Sequence, residues 1–204
     1  MGKTKYKDIA LLKKEYQKRK PQIKKRLSEF KKNKDMFYEL CLCILTPQSN
    51  AKKCFEAVNV LKRNDFLHKD LDTKEILKTK TRFYKNKAEY LLLAKKRFDD
   101  VKKGISKNGI KAREFLVENV KGVSWKESSH LLRNIGYRNL AIIDRHLLKN
   151  LKRFGVIDEI PRSLSKKQYF EIESKFKEFS KKIGIEMDEL DLLFWSMETG
   201  EVFR

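Results

Sequence analysis

The chain has 204 residues with 49 Lys and Arg against 28 Asp and Glu, a formal charge of +21, 40% hydrophobic residues and thirteen Phe. That length fits one compact domain or two small lobes sharing a cleft, and the apolar content excludes a disordered polycation, which lacks core formers. A folded protein this basic repels itself and suits a polyanionic partner, with nucleic acid ahead of an acidic membrane surface.

The longest apolar run, Leu40 to Leu45, has six residues, far below the roughly 20 that span a bilayer. No transmembrane helix and no membrane partner are predicted. The opening MGKTKYKDIA carries charge without an apolar core, so no secretion signal is predicted and the protein is expected to be cytoplasmic. Cys41, Cys43 and Cys54 form no C-x-x-C pair, which excludes a disulfide framework, a zinc ribbon and an iron–sulfur cluster. His68, His130 and His146 lack zinc-ligand spacing, so no side-chain metal centre is expected.

With only 8 Gly and 3 Pro, the periodic segments read as helices and the connectors as short, giving an all-α protein. In chain order, Ile9, Leu12 and Tyr16 form a first helical stripe, and Ile23, Leu27 and Phe30 form another after Pro21. Residues 1–34 hold fourteen Lys and Arg against three Asp and Glu. Such a segment is either a solvated helix face or a basic arm beside a phosphate backbone. Helical patterns follow at 35–46, 50–63, 73–79, 84–103, 110–120, 125–135, 145–154, 166–182 and 187–199. Thr73 can cap its segment, and Ser165 with Gln168 has capping-box spacing. The economical partition is a basic N-terminal arm (1–34) packing with the C-terminal lobe, a central helical lobe (35–150) and C-terminal helices (151–204).

The segment Glu118-Asn-Val-Lys-Gly-Val-Ser-Trp-Lys-Glu-Ser-Ser-His130 reads as a helix-hairpin-helix within about 110–135. One helix ends near Val120, Gly122 supplies the permissive backbone of a tight turn, and Ser124 with Glu127 marks a new helix start. Gly122, Val123 and Ser124 can aim backbone N–H groups at a phosphate, and the hairpin carbonyls are candidates for a monovalent cation. Lys126 falls at the second position of the new helix, where the helix dipole and the basic protein favour the free amine. A neutral amine is what Schiff-base chemistry requires, although a surface lysine in a lysine-rich chain is the plainer reading. Eighteen residues later, Ala141-Ile-Ile-Asp144-Arg-His-Leu-Leu148 runs from an apolar triplet into an Asp at an N-cap position. Lys126 and Asp144 together suggest chemistry.

Lys121-Gly-Val-Ser-Trp-Lys126 and Ile143-Asp-Arg-His146 resemble the hairpin, lysine, loop and Asp of the helix-hairpin-helix DNA glycosylases with a Gly/Pro-rich loop. Ser124 replaces the second hairpin glycine, and no Gly-Pro pair precedes Asp144. Thr46-Pro-Gln-Ser-Asn-Ala51, Arg82-Phe-Tyr-Lys-Asn-Lys-Ala88 and the ending Phe194-Trp-Ser-Met-Glu-Thr-Gly-Glu-Val-Phe-Arg204 look like one branch, the archaeal-type 8-oxoguanine DNA glycosylase/lyase of the second class.

The resemblance implies two helical lobes with a base pocket between them, and a monomer acting near the nucleoid on double-stranded DNA that contains 8-oxoguanine. It implies Lys126 and Asp144 as catalytic residues and Phe83 and Trp195 as walls of the base pocket, with the carboxylate of Arg204 closing it. Gln48 and Asn50 are implied as wedges entering the gap left by the extruded base, and Arg82 as a contact for the orphaned base. No redox or organic cofactor is implied. The alternatives are a non-catalytic helix-hairpin-helix clamp, an RNA-binding structural protein and a glycosylase for another damaged base.

Overall fold

Leu, Ile and Phe recur at three- and four-residue spacing along most of the sequence, and the protein folds each such stripe into a helix buried on that side. The computed structural model describes residues 2–203, with side chains from Ile9 onward. Its helices are α1 (Gly2–Lys32), α2 (Met36–Leu45), α3 (Ala51–Arg63), α4 (Thr73–Leu77), α5 (Tyr84–Lys96), α6 (Phe98–Gly104), α7 (Gly109–Asn119), α8 (Trp125–Asn134), α9 (Arg145–Arg153), α10 (Lys166–Ile183) and α11 (Met187–Thr199). The described residues contain no strand, as the all-α reading expects. None of these helices is long and apolar enough to cross a membrane.

The helices group into two units, Lys34–Ile135 in one and the segments before and after it in the other. In the first, α2 is the buried centre and packs against α3, α5 and α8. Phe37, Leu40 and the run to Leu45 are enclosed, the Phe, Leu and Ile side chains among them each contributing about 1.5–3 kcal/mol by burial. Phe37 also meets the rings of Phe66 and Phe98, with centroids 5.9 and 5.0 Å away. In the second unit α11 takes that central role and contacts α1, α9 and α10. The phenol of Tyr16 on α1 donates to Glu189 on α11 at 2.6 Å, beside buried Leu12, Ile23, Leu27 and Phe30. Residues 136–150, assigned by the sequence to the central lobe, group with the second unit because α9 packs on α11 and buries Leu147, Leu148 and Leu151.

Two boundaries differ from the periodicity. Pro21 lies inside α1 instead of dividing it. Both Pro21 and Gln17, whose carbonyl loses its helical donor, are exposed, so water can serve that oxygen. Conversely, the single helix expected over 84–103 breaks at Arg97, which ends α5 and begins α6. Lys95 and Lys96 before it and Asp99 and Asp100 after it suit the negative end of one helix and the positive end of the next.

Candidate functional site

In the Lys34–Ile135 unit, α7 stops at Asn119 and a tight turn carries the chain into α8. The turn closes with the Val123 N–H donating to the Val120 carbonyl at 3.2 Å. Gly122 sits at φ 84°, and a Cβ there would lie 2.5 Å from Tyr90 Cδ2, so both backbone and neighbour demand glycine. Ser124 is the N-cap of α8. Its N–H donates to Glu127 Oε2 at 3.3 Å, and its hydroxyl contacts the same carboxylate. The two hairpin helices are tied by buried Arg113 on α7, which donates to Ser129 Oγ at 3.3 Å and lies 5.9 Å from the Trp125 ring centroid.

Lys126 occupies the second position of α8, with 26% of its side chain exposed. Its ammonium lies 2.7 Å from Glu127 Oε1. Burial pushes the Glu127 carboxyl up, but the charge and hydrogen bond of Lys126 and the hydrogen bond from Ser124 outweigh it and hold the group below its ordinary value. The helix N-terminus that disfavours an ammonium is therefore accompanied by a carboxylate that attracts one, a counterweight the sequence reading did not include. At the far end of α8 Asn134 donates to Glu39 Oε2 and accepts from Arg133 Nε, both at 3.0 Å.

Two turns of this unit carry the other residues singled out. Asn50 is the N-cap of α3, accepting from the Lys53 N–H at 3.1 Å, so its side-chain oxygen already serves the helix. Gln48 is exposed at the tip of that turn in the left-handed region, φ 54°. Phe83 precedes α5, also left-handed at φ 56°, and is 55% exposed. It is the only Phe among the large exposed hydrophobic residues described. The Arg82 guanidinium stands 5.3 Å from its ring centroid. Non-glycine residues in that backbone region cost on the order of 1–3 kcal/mol and persist where the surroundings fix them.

In the other unit, residues 140–143 are buried and belong to neither helix nor strand, and the Asp144 N–H turns back to donate to the Ile142 carbonyl at 2.9 Å. The Ala141 N–H donates to Glu173 Oε1 at 3.0 Å, the Tyr169 hydroxyl donates to the Ala141 carbonyl at 2.5 Å, and the Ile143 N–H reaches Tyr169 Oη at 3.4 Å. Before them Asn139, at φ 61°, donates its N–H to Asp188 Oδ2 at 3.1 Å. Side chains of α10 and α11 thus fix the approach to Asp144, which has no Gly-Pro pair. Asp144 caps α9, its Oδ1 accepting from the Leu147 N–H at 2.8 Å. Trp195 on α11 is half-buried, meets the His146 ring edge-on at 4.8 Å, and its Nε1 has no hydrogen-bond partner among the described residues. Arg204 lies outside the described residues.

Sequence reasoning missed Glu127 as the partner of Lys126, Tyr90 as the reason for Gly122, and the α10 and α11 side chains behind Asp144. It also missed Lys87, whose signal was available. Lys87, Ala88, Leu91 and Ala94 form the buried stripe of α5, a periodic apolar face with an ammonium in it.

A family model described as 8-oxoguanine DNA glycosylase matches residues 23–185. Proteins of Fusobacterium nucleatum and Methanocaldococcus jannaschii, both named 8-oxoguanine DNA glycosylase/AP lyase, are 41% and 40% identical, each covering 89% of this chain and 91% of its own length. The crystal structure of the M. jannaschii glycosylase/lyase in complex with a 15mer DNA containing 8-oxoguanine is similar with a TM-score of 0.86 at 39% identity, covering 96% of this chain and 100% of that one. That of the 8-oxoguanine DNA glycosylase of Thermotoga maritima gives a TM-score of 0.88 at 32% identity, covering 98% of this chain and 100% of that one. With four-fifths of its length inside the family model and relatives this similar along most of both chains, the protein belongs to the helix-hairpin-helix family of 8-oxoguanine DNA glycosylases.

Proposed function

We propose that this chain is a bifunctional repair enzyme that removes 8-oxoguanine from duplex DNA and then cuts the abasic strand, working at the nucleoid. The observation that carries the reading is Lys126 at the second position of the helix leaving the Gly122 hairpin, in a chain of this family. The lesion base is first extruded, at a cost of a few kcal/mol. Phe83 and Trp195 serve as flat walls for it, since base–aromatic stacking contributes about 1–3 kcal/mol. Arg204 closes the pocket on the base. Gln48 enters the vacated gap, with Asn50 beside it, and Arg82 meets the orphaned base.

The neutral amine of Lys126 attacks C1′ of the sugar while the C1′–N9 bond breaks and the base leaves with the bonding pair and a proton. Ring opening gives the Schiff base. Loss of a C2′ proton then expels the 3′ phosphate by cleavage of the C3′–O bond, and water hydrolyses the imine. Asp144 supports the positive charge that develops on the sugar, receives the proton that the amine must shed and passes it to the departing base. The hairpin of Gly122, Val123 and Ser124 lies against a backbone phosphate; the Val123 and Ser124 N–H groups already serve the Val120 carbonyl and Glu127, so that contact falls to the Gly122 N–H and to a monovalent cation on the hairpin carbonyls.

The test is borohydride trapping on a duplex with one 8-oxoguanine, comparing wild type, Lys126→Gln and an undamaged duplex. The expected outcome is a covalent adduct with wild type on damaged DNA only. An adduct that survives Lys126→Gln would move the nucleophile elsewhere, and tight binding without adduct or base release would leave a non-catalytic clamp.

A further inference from the structure

Lys87 is a buried ammonium in the first turn of α5, a position disfavoured both by desolvation and by the positive end of the helix. Four oxygen atoms receive it. Its Nζ lies 2.8 Å from the Leu45 carbonyl, 2.7 Å from the Pro47 carbonyl, 2.9 Å from Thr81 Oγ1 and 3.1 Å from Ser49 Oγ, so its three N–H groups are shared among four acceptors. The hydroxyls extend the knot. Thr81 Oγ1 lies 2.9 Å from both the Leu45 carbonyl and Ser49 Oγ, and Ser49 Oγ accepts the Arg82 N–H at 3.0 Å. Leu45 is the last residue of α2, so the ammonium also meets the negative end of that helix.

The knot joins two separate turns, 46–50 and 81–83. Each carries one non-glycine residue in the left-handed backbone region, Gln48 in the first and Phe83 in the second, and both side chains are exposed. Strained backbone of this kind is held only where its surroundings over-determine it. Lys87 itself is buried, with 5% exposure.

We propose that Lys87 is a positioning residue for base extrusion: its ammonium, with Ser49 and Thr81, locks the turn of Gln48 and the turn of Phe83 into one preorganised element. The inference rests on the reading of Gln48 as wedge and Phe83 as stacking wall. A loosened knot leaves both side chains present but no longer aimed, so the loss falls on extrusion and not on bond breaking.

The test separates those steps. Extrusion is read from the fluorescence of a 2-aminopurine placed beside 8-oxoguanine and from single-turnover excision. The later chemistry is read from β-elimination on a duplex with a preformed abasic site, which has no base to unstack. Lys87→Met removes the ammonium. Thr81→Val cuts the knot without changing charge, which matters because Lys126 also feels Lys87. Both variants are expected to lower excision by about tenfold or more while abasic cleavage stays within about threefold, and Thr81→Ser is expected to restore the fluorescence response. Equal loss of excision and abasic cleavage, or no loss of either, overturns the positioning role. Gln48→Ala and Phe83→Ala run in parallel. If they leave extrusion intact, the reading of those two residues fails. If they impair it while Lys87→Met and Thr81→Val do not, the fault lies in the inference about Lys87.

Discussion

Lys126 and Glu127, neighbours in sequence, form an ion pair of 2.7 Å in the first turn of α8. Glu127 suits that end of the helix and Lys126 does not, so the carboxylate compensates for a cation held where the dipole opposes it. Lys126, its hydrogen bond and Ser124 keep the Glu127 carboxyl below its ordinary value against the opposing effect of burial. A carboxyl lowered in this way contributes stability above its unfolded value, and that stability is lost as pH falls through the native value. Gln in its place keeps an acceptor for the Ser124 N–H but does not titrate. Between about pH 5 and pH 3 the melting temperature of wild type should fall more steeply than that of Glu127→Gln. Parallel curves would show that the pair adds nothing to acid stability.

Gly122→Ala should destabilise the protein by about 1–3 kcal/mol, because Ala is strained at positive φ, and its methyl would also meet Tyr90. The two causes separate in a double-mutant cycle read by urea unfolding. Tyr90→Ala should relieve the steric part only, leaving a residual cost of about 1 kcal/mol from the backbone. A cycle with no coupling would remove Tyr90 from the explanation.

The helices were legible because apolar spacing is a local property: the stripes around Leu12, Leu40 and Leu190 each announce their buried face. The start of α8 was legible for the same reason, since Ser124 and Glu127 lie within one turn. What the sequence concealed depends on partners far along the chain. Tyr169, Glu173 and Asp188 hold the approach to Asp144 from 32 residues or more beyond the groups they bind in two of three cases, and no local pattern reports such pairs. Pro21 misled because its cost depends on exposure, which periodicity does not give. The break at Arg97 was marked only by charges, two Lys before it and two Asp after it.

Lys87 gives a pH prediction with a definite sign. Burial lowers its pKa from 10.5 to about 8, with Lys126 and Arg82 adding to that shift and Cys54 and Glu127 opposing it. Between those values the unfolded chain binds more protons at this site than the native one, so this residue's contribution to stability rises with pH across the window. The difference in unfolding free energy between wild type and Lys87→Met should therefore shift in favour of wild type from about pH 8 to about pH 10. A difference independent of pH would mean that the native ammonium does not titrate there.

Phe83 and Phe194 separate the proposed pocket wall from the core. Phe194 is 1% exposed within the second unit, and Phe194→Ala should cost about 3–5 kcal/mol of stability. Phe83 is mostly exposed, so Phe83→Ala should change stability by no more than about 0.5 kcal/mol. On the proposed reading its effect falls on the lesion. Loss of one stacking wall should lower excision of 8-oxoguanine by roughly tenfold or more, the equivalent of about 1–3 kcal/mol. Thermal unfolding and single-turnover excision on the same two variants give the comparison, and an unchanged excision rate for Phe83→Ala would return Phe83 to the ordinary surface.

Asp144 has a structural duty that must be separated from a chemical one, because it caps α9 through the Leu147 N–H. Asn caps as well as Asp, so Asp144→Asn should unfold within about 0.5 kcal/mol of wild type, whereas Asp144→Ala should lose about 1 kcal/mol. If the carboxylate also supports charge on the sugar and accepts the lysine proton, Asp144→Asn should slow base release and borohydride trapping by about a hundredfold or more despite its intact cap. Asp144→Ala should then be slow to a similar degree, its extra instability adding little once the protein is folded. Full trapping by Asp144→Asn together with impaired trapping by Asp144→Ala would assign the residue to the helix cap alone, and the proton acceptor for Lys126 would have to be sought among other groups, beginning with the Glu127 carboxylate already against it.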